Sequence, residues 1–245
     1  MKKLSFLQLL IWSLFLGCSA PKTITAYMIG DSTMANKIAE VYPETGWGQV
    51  FQDYFDSGVK VSNHAMNGRS SKSFLAEGRW KVILDSLKRG DFVFIQFGHN
   101  DEKMDKPLLY TDPQTTYQQN LKKYVTETRK KGATPILLTP IVRRKFDVAG
   151  KLVDTHGKYP EAVRELASRL KVKFIDMQVL TFNLVEPMGD EPSKKIYLWT
   201  PPDQKFPEGR KDDTHLSVEG AKAFAGTVAR EVSRMKVSLA KHVRN

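Results

Sequence analysis

Short apolar runs alternate along this chain with segments in which apolar residues recur at helical spacing. Five runs have the length and composition of buried strands, at residues 23–33 with a closing turn, 59–66, 92–97, 135–139 and 172–176. Helical patterns occupy residues 46–55, 80–87, 115–129, 160–170 and 218–235. Strands that alternate with helices form a parallel sheet covered on both faces, so the pattern predicts an α/β fold around a central parallel sheet of about five strands.

The segment at residues 178–213 breaks this alternation, because it contains five prolines with Tyr197 and Trp199 among them. Long ordered loops in compact domains usually have a function, so we expect a functional loop here. The last helix follows Ser217, a typical N-cap residue. No repeat or low-complexity tract is present, which indicates one domain over residues 21–245.

The amino terminus has the pattern of an export signal. Two lysines precede an apolar run at residues 4–16, which is too short to span a bilayer but has the length of a signal-peptide core. Cys18 follows where a bacterial lipoprotein signal places its lipidated residue, so the segment resembles a lipobox. Cleavage after Ala20 would instead release a secreted protein. We expect residues 1–20 to be a signal peptide of the lipoprotein type, and the protein to be exported, either as a periplasmic or cell-surface lipoprotein or as a secreted protein.

Composition and charge limit the classes of partner. The 41% hydrophobic and 27% charged residues are typical of a globular protein, and a single cysteine excludes an internal disulfide. The formal charge is +11, and removing the two lysines of residues 1–20 leaves +9. The basic residues are scattered and no RNA-binding signature occurs, so we expect no nucleic-acid partner. An acidic polysaccharide or an anionic membrane surface remains open.

Ser32 follows the first predicted strand in the triplet Gly30-Asp31-Ser32. A hydroxyl at this place has two ordinary uses. It caps the next helix, or it acts as a nucleophile when a base and an oxyanion site face it. The choice depends on whether the other catalytic groups occur elsewhere in the chain. Asp31 itself is expected to stabilise the turn.

Three further polar clusters supply those groups, at residues 67–69, 98–101 and 212–215. His215 is the candidate base, and Asp212, three residues earlier, is the candidate carboxylate that orients it. Asp213 competes with Asp212 for that role. Ligands of open parallel sheets bind outside the carboxyl ends of the strands, where most of these clusters are expected.

An oxyanion site needs N–H donors aimed at one point. The backbone amides of Ser32 and Gly68 and the side-chain amide of Asn100 are the candidates. Gly68 suits this role because a glycine lets the backbone approach a substrate closely.

The four clusters together resemble the SGNH hydrolases, also called the GDSL family. The serine, glycine, asparagine and histidine of that name match Ser32, Gly68, Asn100 and His215 in the family's order, and its Asp-x-x-His motif matches Asp212 to His215. Thr33 stands where many members have leucine, a variant found in the carbohydrate-acetylesterase branch. The resemblance implies a flavodoxin-like three-layer α/β/α sandwich.

A closer resemblance is to the rhamnogalacturonan acetylesterase group. It is carried by Gly30-Asp31-Ser32-Thr33, Asn67-Gly68-Arg69-Ser70-Ser71, Glu77-Gly78-Arg79-Trp80, Gln96-Phe97-Gly98-His99-Asn100-Asp101, Thr139-Pro140-Ile141-Val142-Arg143-Arg144 and Asp213-Thr214-His215-Leu216. It implies removal of acetyl groups from pectin or a related plant polysaccharide by an acetyl-serine mechanism. That mechanism requires no metal and no other cofactor.

Candidate substrate contacts lie beside these motifs. Arg69, Arg143 and Arg144 follow strand ends, where they would either meet a carboxylate of an acidic sugar or remain solvated surface residues. Trp199 would either stack on a sugar or pack the long loop. His99 has two interpretations, a structural histidine beneath the site, which we favour, and a direct substrate contact.

Three alternatives to the pectin esterase are considered. The first is an acetylesterase acting on xylan or small oligosaccharides. The second is a sugar-binding lipoprotein on a catalytic fold, since fold does not dictate function. The third is a metal-dependent hydrolase with His99, Asp101, Asp212, Asp213 and His215 as ligands.

The lipidation of Cys18 is directly testable. In bacterial cells the full chain should show a shift in gel mobility on treatment with globomycin, and Cys18→Ser should abolish that shift. An unchanged mobility in the wild type would leave a secreted protein as the remaining form.

Overall fold

The computed structural model describes residues 23–244, so the predicted signal peptide and Cys18 lie outside the described residues. Five parallel strands form the central sheet: β1 (Ile24–Gly30), β2 (Val59–Asn63), β3 (Phe92–Gln96), β4 (Thr134–Leu138) and β5 (Lys173–Ile175). Their order is β2-β1-β3-β4-β5, with every neighbouring pair parallel. This is the flavodoxin-like order, and it confirms the predicted fold class.

Helices cover both faces of the sheet. Those of the described residues are α1 (Ser71–Ala76), α2 (Arg79–Ser86), α3 (Thr116–Lys130), α4 (Tyr159–Leu170), α5 (Met177–Val185), α6 (Asp190–Ser193) and α7 (Val218–Arg234). Successive residues of β3 point to opposite faces, so Phe94 packs with α5 and α7 while Ile95 packs with α1 to α4. The inner strands β1, β3 and β4 are mostly apolar because both of their faces are buried, whereas the edge strands β2 and β5 carry exposed lysines.

The segment at residues 46–55 differs from the predicted helix. It forms two 3-10 turns, Trp47–Gln49 and Phe51–Tyr54. The first turn packs closely against the segment after Ser32, since a side chain at Gly48 would approach the Met34 carbonyl oxygen to 2.6 Å. The apolar spacing identified the buried face but not the type of helix.

The predicted loop at residues 178–213 also differs. It contains α6, most of α5 and an antiparallel hairpin of β6 (Tyr197–Thr200) and β7 (Arg210–Leu216). The buried Tyr197 hydroxyl donates to the Val142 carbonyl at 2.8 Å and joins this hairpin to the segment after β4. Three of the five prolines lie in the connection between β6 and β7, where no ladder hydrogen bond is lost.

None of the helices between residues 23 and 244 has the length and hydrophobicity needed to cross a membrane.

Candidate active site

Ser32 is positioned by the turn that ends β1. Gly30 has no room for a side chain, since a Cβ would lie 2.6 Å from the Gln96 carbonyl oxygen of the neighbouring β3. Asp31 is fully buried, and its carboxylate accepts hydrogen bonds from the Thr33 amide at 3.0 Å and the Thr33 hydroxyl at 2.8 Å. This local network leaves Ser32 half-buried at the carboxyl edge of the sheet.

Ser32, His215 and Asp212 form a continuous hydrogen-bonded chain. The Ser32 Oγ lies 2.9 Å from His215 Nε2, and His215 Nδ1 lies 2.7 Å from Asp212 Oδ2. The other oxygen of Asp212 accepts the backbone N–H groups of Thr214 at 2.8 Å and His215 at 2.9 Å. The imidazole is thereby held between a hydroxyl and a carboxylate.

The charge of Asp212 follows from these contacts. Burial opposes ionisation, but the hydrogen bonds from His215 and Thr214 keep the pKa of the Asp212 carboxyl well below its ordinary range. An ionised Asp212 favours the tautomer of His215 that carries a proton on Nδ1. The Nε2 atom that faces Ser32 is then the acceptor.

An irregularity in the hairpin explains the three-residue spacing. Tyr197 pairs with Leu216, whereas its neighbour Leu198 pairs with Asp212, so residues 213–215 bulge from the ladder. Bulges redirect side chains and are common beside active sites. Here the bulge lets residues 212 and 215 meet on one side.

Asp213 points away from His215. Its Oδ1 lies 2.5 Å from Arg144 Nη1 and accepts a hydrogen bond from Trp199 Nε1 at 2.8 Å. Of the two candidate carboxylates, the structure therefore brings Asp212 and not Asp213 to the imidazole.

The three candidate oxyanion donors lie in neighbouring loops. The Met66 amide donates to the Gly30 carbonyl at 3.0 Å, which places the Gly68 loop beside the Ser32 turn. Asn100 Nδ2 donates to the Arg69 carbonyl at 3.1 Å, so Asn100 is held against the same loop. Gly68 has a φ of 75°, a conformation that favours glycine.

These donors retain unused N–H groups. No acceptor among residues 23–244 bonds the backbone amides of Ser32 and Gly68. A side-chain amide carries two N–H donors, and Asn100 uses one of them on Arg69. The Asn100 oxygen is fixed by Lys103 Nζ at 2.7 Å, which sets the direction of the amide.

His99 lies beneath this site rather than on its surface. It is 3% exposed, its Nδ1 is 3.4 Å from Asp31 Oδ2, and its ring meets His156 edge-on with 4.5 Å between centroids. Burial lowers the pKa of His99 to about 4, so the ring is neutral at neutral pH. The burial does not support a direct substrate contact at His99 and favours the structural role.

His156 and Glu102 were not singled out by the sequence. His156 is 2% exposed, with its Nδ1 2.9 Å from Glu102 Oε2 and its Nε2 2.8 Å from the Ile141 carbonyl. Glu102 also pairs with Arg143. Fifty-four positions separate His156 from Glu102, so no local motif could have indicated the pair.

Each of the three candidate arginines forms an ion pair with a carboxylate of the protein itself. Arg69 pairs with Glu77 at 3.0 Å, and Arg143 bonds to Thr155 as well as to Glu102. Arg144 is 5% exposed and is held by Asp213 and Asp190, so it is not a solvated surface residue. A carboxylate ligand would have to compete with these partners.

A cavity of about 540 Å³ lies beside the hairpin, next to Asp213. One wall is Trp199, whose ring centroid is 4.9 Å from the Arg144 guanidinium and 4.3 Å from Lys194 Nζ. Four cations and three acids line the cavity: Arg143, Arg144, Lys145, Lys194, Asp190, Glu191 and Asp213. Lys145 is exposed and forms no ion pair with any residue between 23 and 244.

The five residues considered as metal ligands do not gather at one point. Asp101 is buried and accepts hydrogen bonds from the Ser71 hydroxyl at 2.5 Å and the Thr111 hydroxyl at 2.8 Å, while Asp213 faces Arg144. Between residues 23 and 244, no set of three His, Cys, Asp or Glu side chains is arranged to hold a metal ion.

The fold and these motifs define the class of protein. The family described as GDSL-like lipase/acylhydrolase matches residues 28–223, and the chain belongs to it. This confirms the family resemblance and makes the protein a carboxylic ester hydrolase.

Two relatives come from Bacillus subtilis (strain 168). Rhamnogalacturonan acetylesterase RhgT is 39% identical over 91% of this chain and 95% of its own length. Probable rhamnogalacturonan acetylesterase YesY is 34% identical over 89% of this chain and 96% of its own.

Solved structures share the fold. Protein YxiM from Bacillus subtilis superposes with a TM-score of 0.73 at 25% identity, covering 89% of this chain and 58% of that one. Axe2, an acetylxylan esterase from Geobacillus stearothermophilus, superposes with a TM-score of 0.62 at 21% identity. The superposition covers 86% of this chain and 96% of Axe2.

The neutral state of His99 is a measurable consequence of its burial. In histidine NMR spectra its ring should titrate near pH 4, with the resonance assigned by its loss in His99→Gln. Because the folded pKa lies below the ordinary 6.5, stability that is present above pH 6.5 is lost as the pH falls toward 4. The free energy of unfolding should therefore drop relative to His99→Gln, by up to about 3 kcal/mol. A midpoint at or above 6.5 would contradict this assignment.

Proposed function

We propose that this protein removes O-acetyl groups from a pectic polysaccharide, rhamnogalacturonan in the first place, through an acetyl-serine intermediate. The observation that carries the proposal is the hydrogen-bonded chain from Ser32 through His215 to Asp212. The substrate is supported by the two bacterial relatives, of which RhgT is a rhamnogalacturonan acetylesterase.

Acylation begins with Ser32 and His215. His215 Nε2 takes the hydroxyl proton as Ser32 Oγ attacks the acetyl carbonyl carbon. The N–H groups of Ser32, Gly68 and Asn100 stabilise the negative charge that develops on the carbonyl oxygen. The bond from carbon to the sugar oxygen then breaks, and His215 returns its proton to that oxygen. Deacylation repeats these steps with water as the nucleophile and releases acetate.

Asp212 acts through His215. Its carboxylate holds the Nδ1–H tautomer and stabilises the imidazolium that forms during each transfer. The two backbone hydrogen bonds to its other oxygen fix its orientation on the bulge.

The cavity beside the hairpin is the proposed place for sugars that flank the acetylated residue. Trp199 offers an aromatic wall of the kind that packs against sugar rings, although its faces already meet Arg144 and Lys194. Arg143 is neutralised by Glu102, so the unpaired Lys145 is the better candidate for contacting an acidic sugar.

The proposed location is outside the cytoplasm. The apolar run at residues 4–16 and the position of Cys18 support an exported lipoprotein, with a secreted protein as the alternative form. An exported enzyme would meet plant polysaccharides directly.

The first experiment tests chemistry and substrate together. Acetate release from acetylated rhamnogalacturonan, homogalacturonan and xylan should be fastest on rhamnogalacturonan and fall to background in Ser32→Ala. Asn100→Ala should fold and lose about 100- to 1,000-fold in kcat, because one oxyanion donor is gone.

Ser57→Ala is the matched control, since Ser57 is exposed just before β2 at the opposite edge of the sheet. If Ser32→Ala released acetate at the wild-type rate, the acetyl-serine mechanism would be refuted. Faster acetate release from xylan would refute rhamnogalacturonan as the preferred substrate. It would not contradict the acetyl-serine mechanism.

A second experiment tests the cavity. Lys145→Ala should raise KM for acetylated rhamnogalacturonan several-fold at low salt, with kcat unchanged, because an exposed cation contributes to ground-state binding of an acidic polymer. Acetylated xylan, which lacks the acidic backbone, should show no change. Lys151→Ala is the control, being exposed six positions further on. If Lys145→Ala changed KM by the same factor on both polymers, or on neither, Lys145 would not recognise the acidic backbone.

A further inference from the structure

The edge of the sheet opposite Ser32 receives the chain from its amino-terminal residues. The Ile24 amide donates to the Gly58 carbonyl at 2.9 Å, and the Thr25 amide donates to Asp91 Oδ1 at 3.1 Å. Residue 23 therefore enters the fold between the starts of β2 and β3. The strands are parallel, so the segments that precede β3, β4 and β5 lie along this same edge.

The part of this edge in front of β3, β4 and β5 is strongly basic. Its exposed cations lie in residues 87–91, 129–133 and 170–173, and six of them define what we call the basic edge: Lys88, Arg89, Lys130, Lys131, Lys171 and Lys173. The one acid in these segments, Asp91, is 3% exposed and is used by the backbone amides of Thr25 and Lys88.

Backbone contacts join the three segments into a continuous surface. The Gly90 amide donates to the Gly132 carbonyl at 3.1 Å. The Arg129 guanidinium donates to the carbonyls of Leu170 and Lys171, each at 3.0 Å. The cations of the basic edge therefore belong to one patch and not to three separate ones.

Helix ends account for only part of this charge. Helices α2, α3 and α4 end here, and cations stabilise the carboxyl end of a helix dipole. The five lysine ammonium groups of the basic edge, however, form no hydrogen bond or ion pair with residues 23–244. Lys173 lies in β5 and not in a helix end. The charge of these five lysines is thus available to an external partner.

We propose that the basic edge rests on a membrane surface that contains anionic phospholipid. Clusters of four to eight cations beside a membrane-attached segment typically bind such lipids. The inference rests on the proposed lipid attachment at Cys18, which is five residues before Thr23, a reach of at most about 18 Å. Attachment through Cys18 brings the basic edge close to the lipid headgroups.

The same placement leaves the candidate active site free. Ser32 follows the seven-residue β1 at its far end, about 20 Å from the basic edge. A polysaccharide that reaches Ser32 has no need of the basic edge, which favours lipid over substrate as its partner.

The experiment uses the full chain and vesicles of phosphatidylcholine with or without phosphatidylglycerol. Residues 1–22 are identical in every variant, so the readout is the ratio of affinities for anionic and neutral vesicles in a sedimentation assay. The wild type should prefer anionic vesicles by more than about 10-fold, and added salt should erase the preference. The variant Lys130→Glu/Lys131→Glu/Lys171→Glu/Lys173→Glu should lose it.

A control of equal charge is Lys106→Glu/Lys151→Glu/Lys205→Glu/Lys211→Glu, whose exposed residues follow strand ends or lie near the hairpin on the opposite side. It should keep the preference. The proposal is overturned if both variants lose it equally, since net charge alone would then be responsible. It is also overturned if the basic-edge variant only lowers Tm, or only weakens binding to polygalacturonate, while its preference for anionic vesicles stands.

Discussion

Parallel pairing of β1 with β3 is the constraint on which the site depends. It requires Gly30, because any side chain there would strike the Gln96 carbonyl. It also requires that both strands end at the same edge, which brings the turn carrying Ser32 level with the segment carrying Asn100. The Gly68 loop joins them through the Met66 amide and the Arg69 carbonyl. Hydrogen bonds between neighbouring segments, and not proximity in sequence, therefore assemble the oxyanion side of the site.

The sequence predicted the central sheet because its inner strands are mostly apolar runs bounded by polar turns. It predicted Ser32, Asp212 and His215 because their residue types and order match a known family. It did not predict the β6–β7 hairpin, whose four-residue first strand and proline-rich connection resemble a loop. The choice between Asp212 and Asp213 needed the bulge in β7, which depends on the register of its pairing with β6.

The charged groups near the site illustrate a second limit of sequence analysis. Position after a strand end suggested that Arg69, Arg143 and Arg144 contact substrate, yet each meets a carboxylate of the protein itself. These partners lie 8, 41 and 69 positions away, and only the fold brings them together. The contacts of Asp31 with His99 and of Glu102 with His156 arise in the same way.

The division of the hydrogen-bonded chain between two structural units has a further consequence. Ser32 belongs to the five-stranded sheet, whereas Asp212 and His215 belong to the hairpin, which is docked through Tyr197 and through Arg144 between Asp190 and Asp213. Any displacement of the hairpin relative to the sheet would break the 2.9 Å contact between nucleophile and base. Proton transfer between His215 and Ser32 therefore depends on the contacts that dock the hairpin as well as on the three residues themselves.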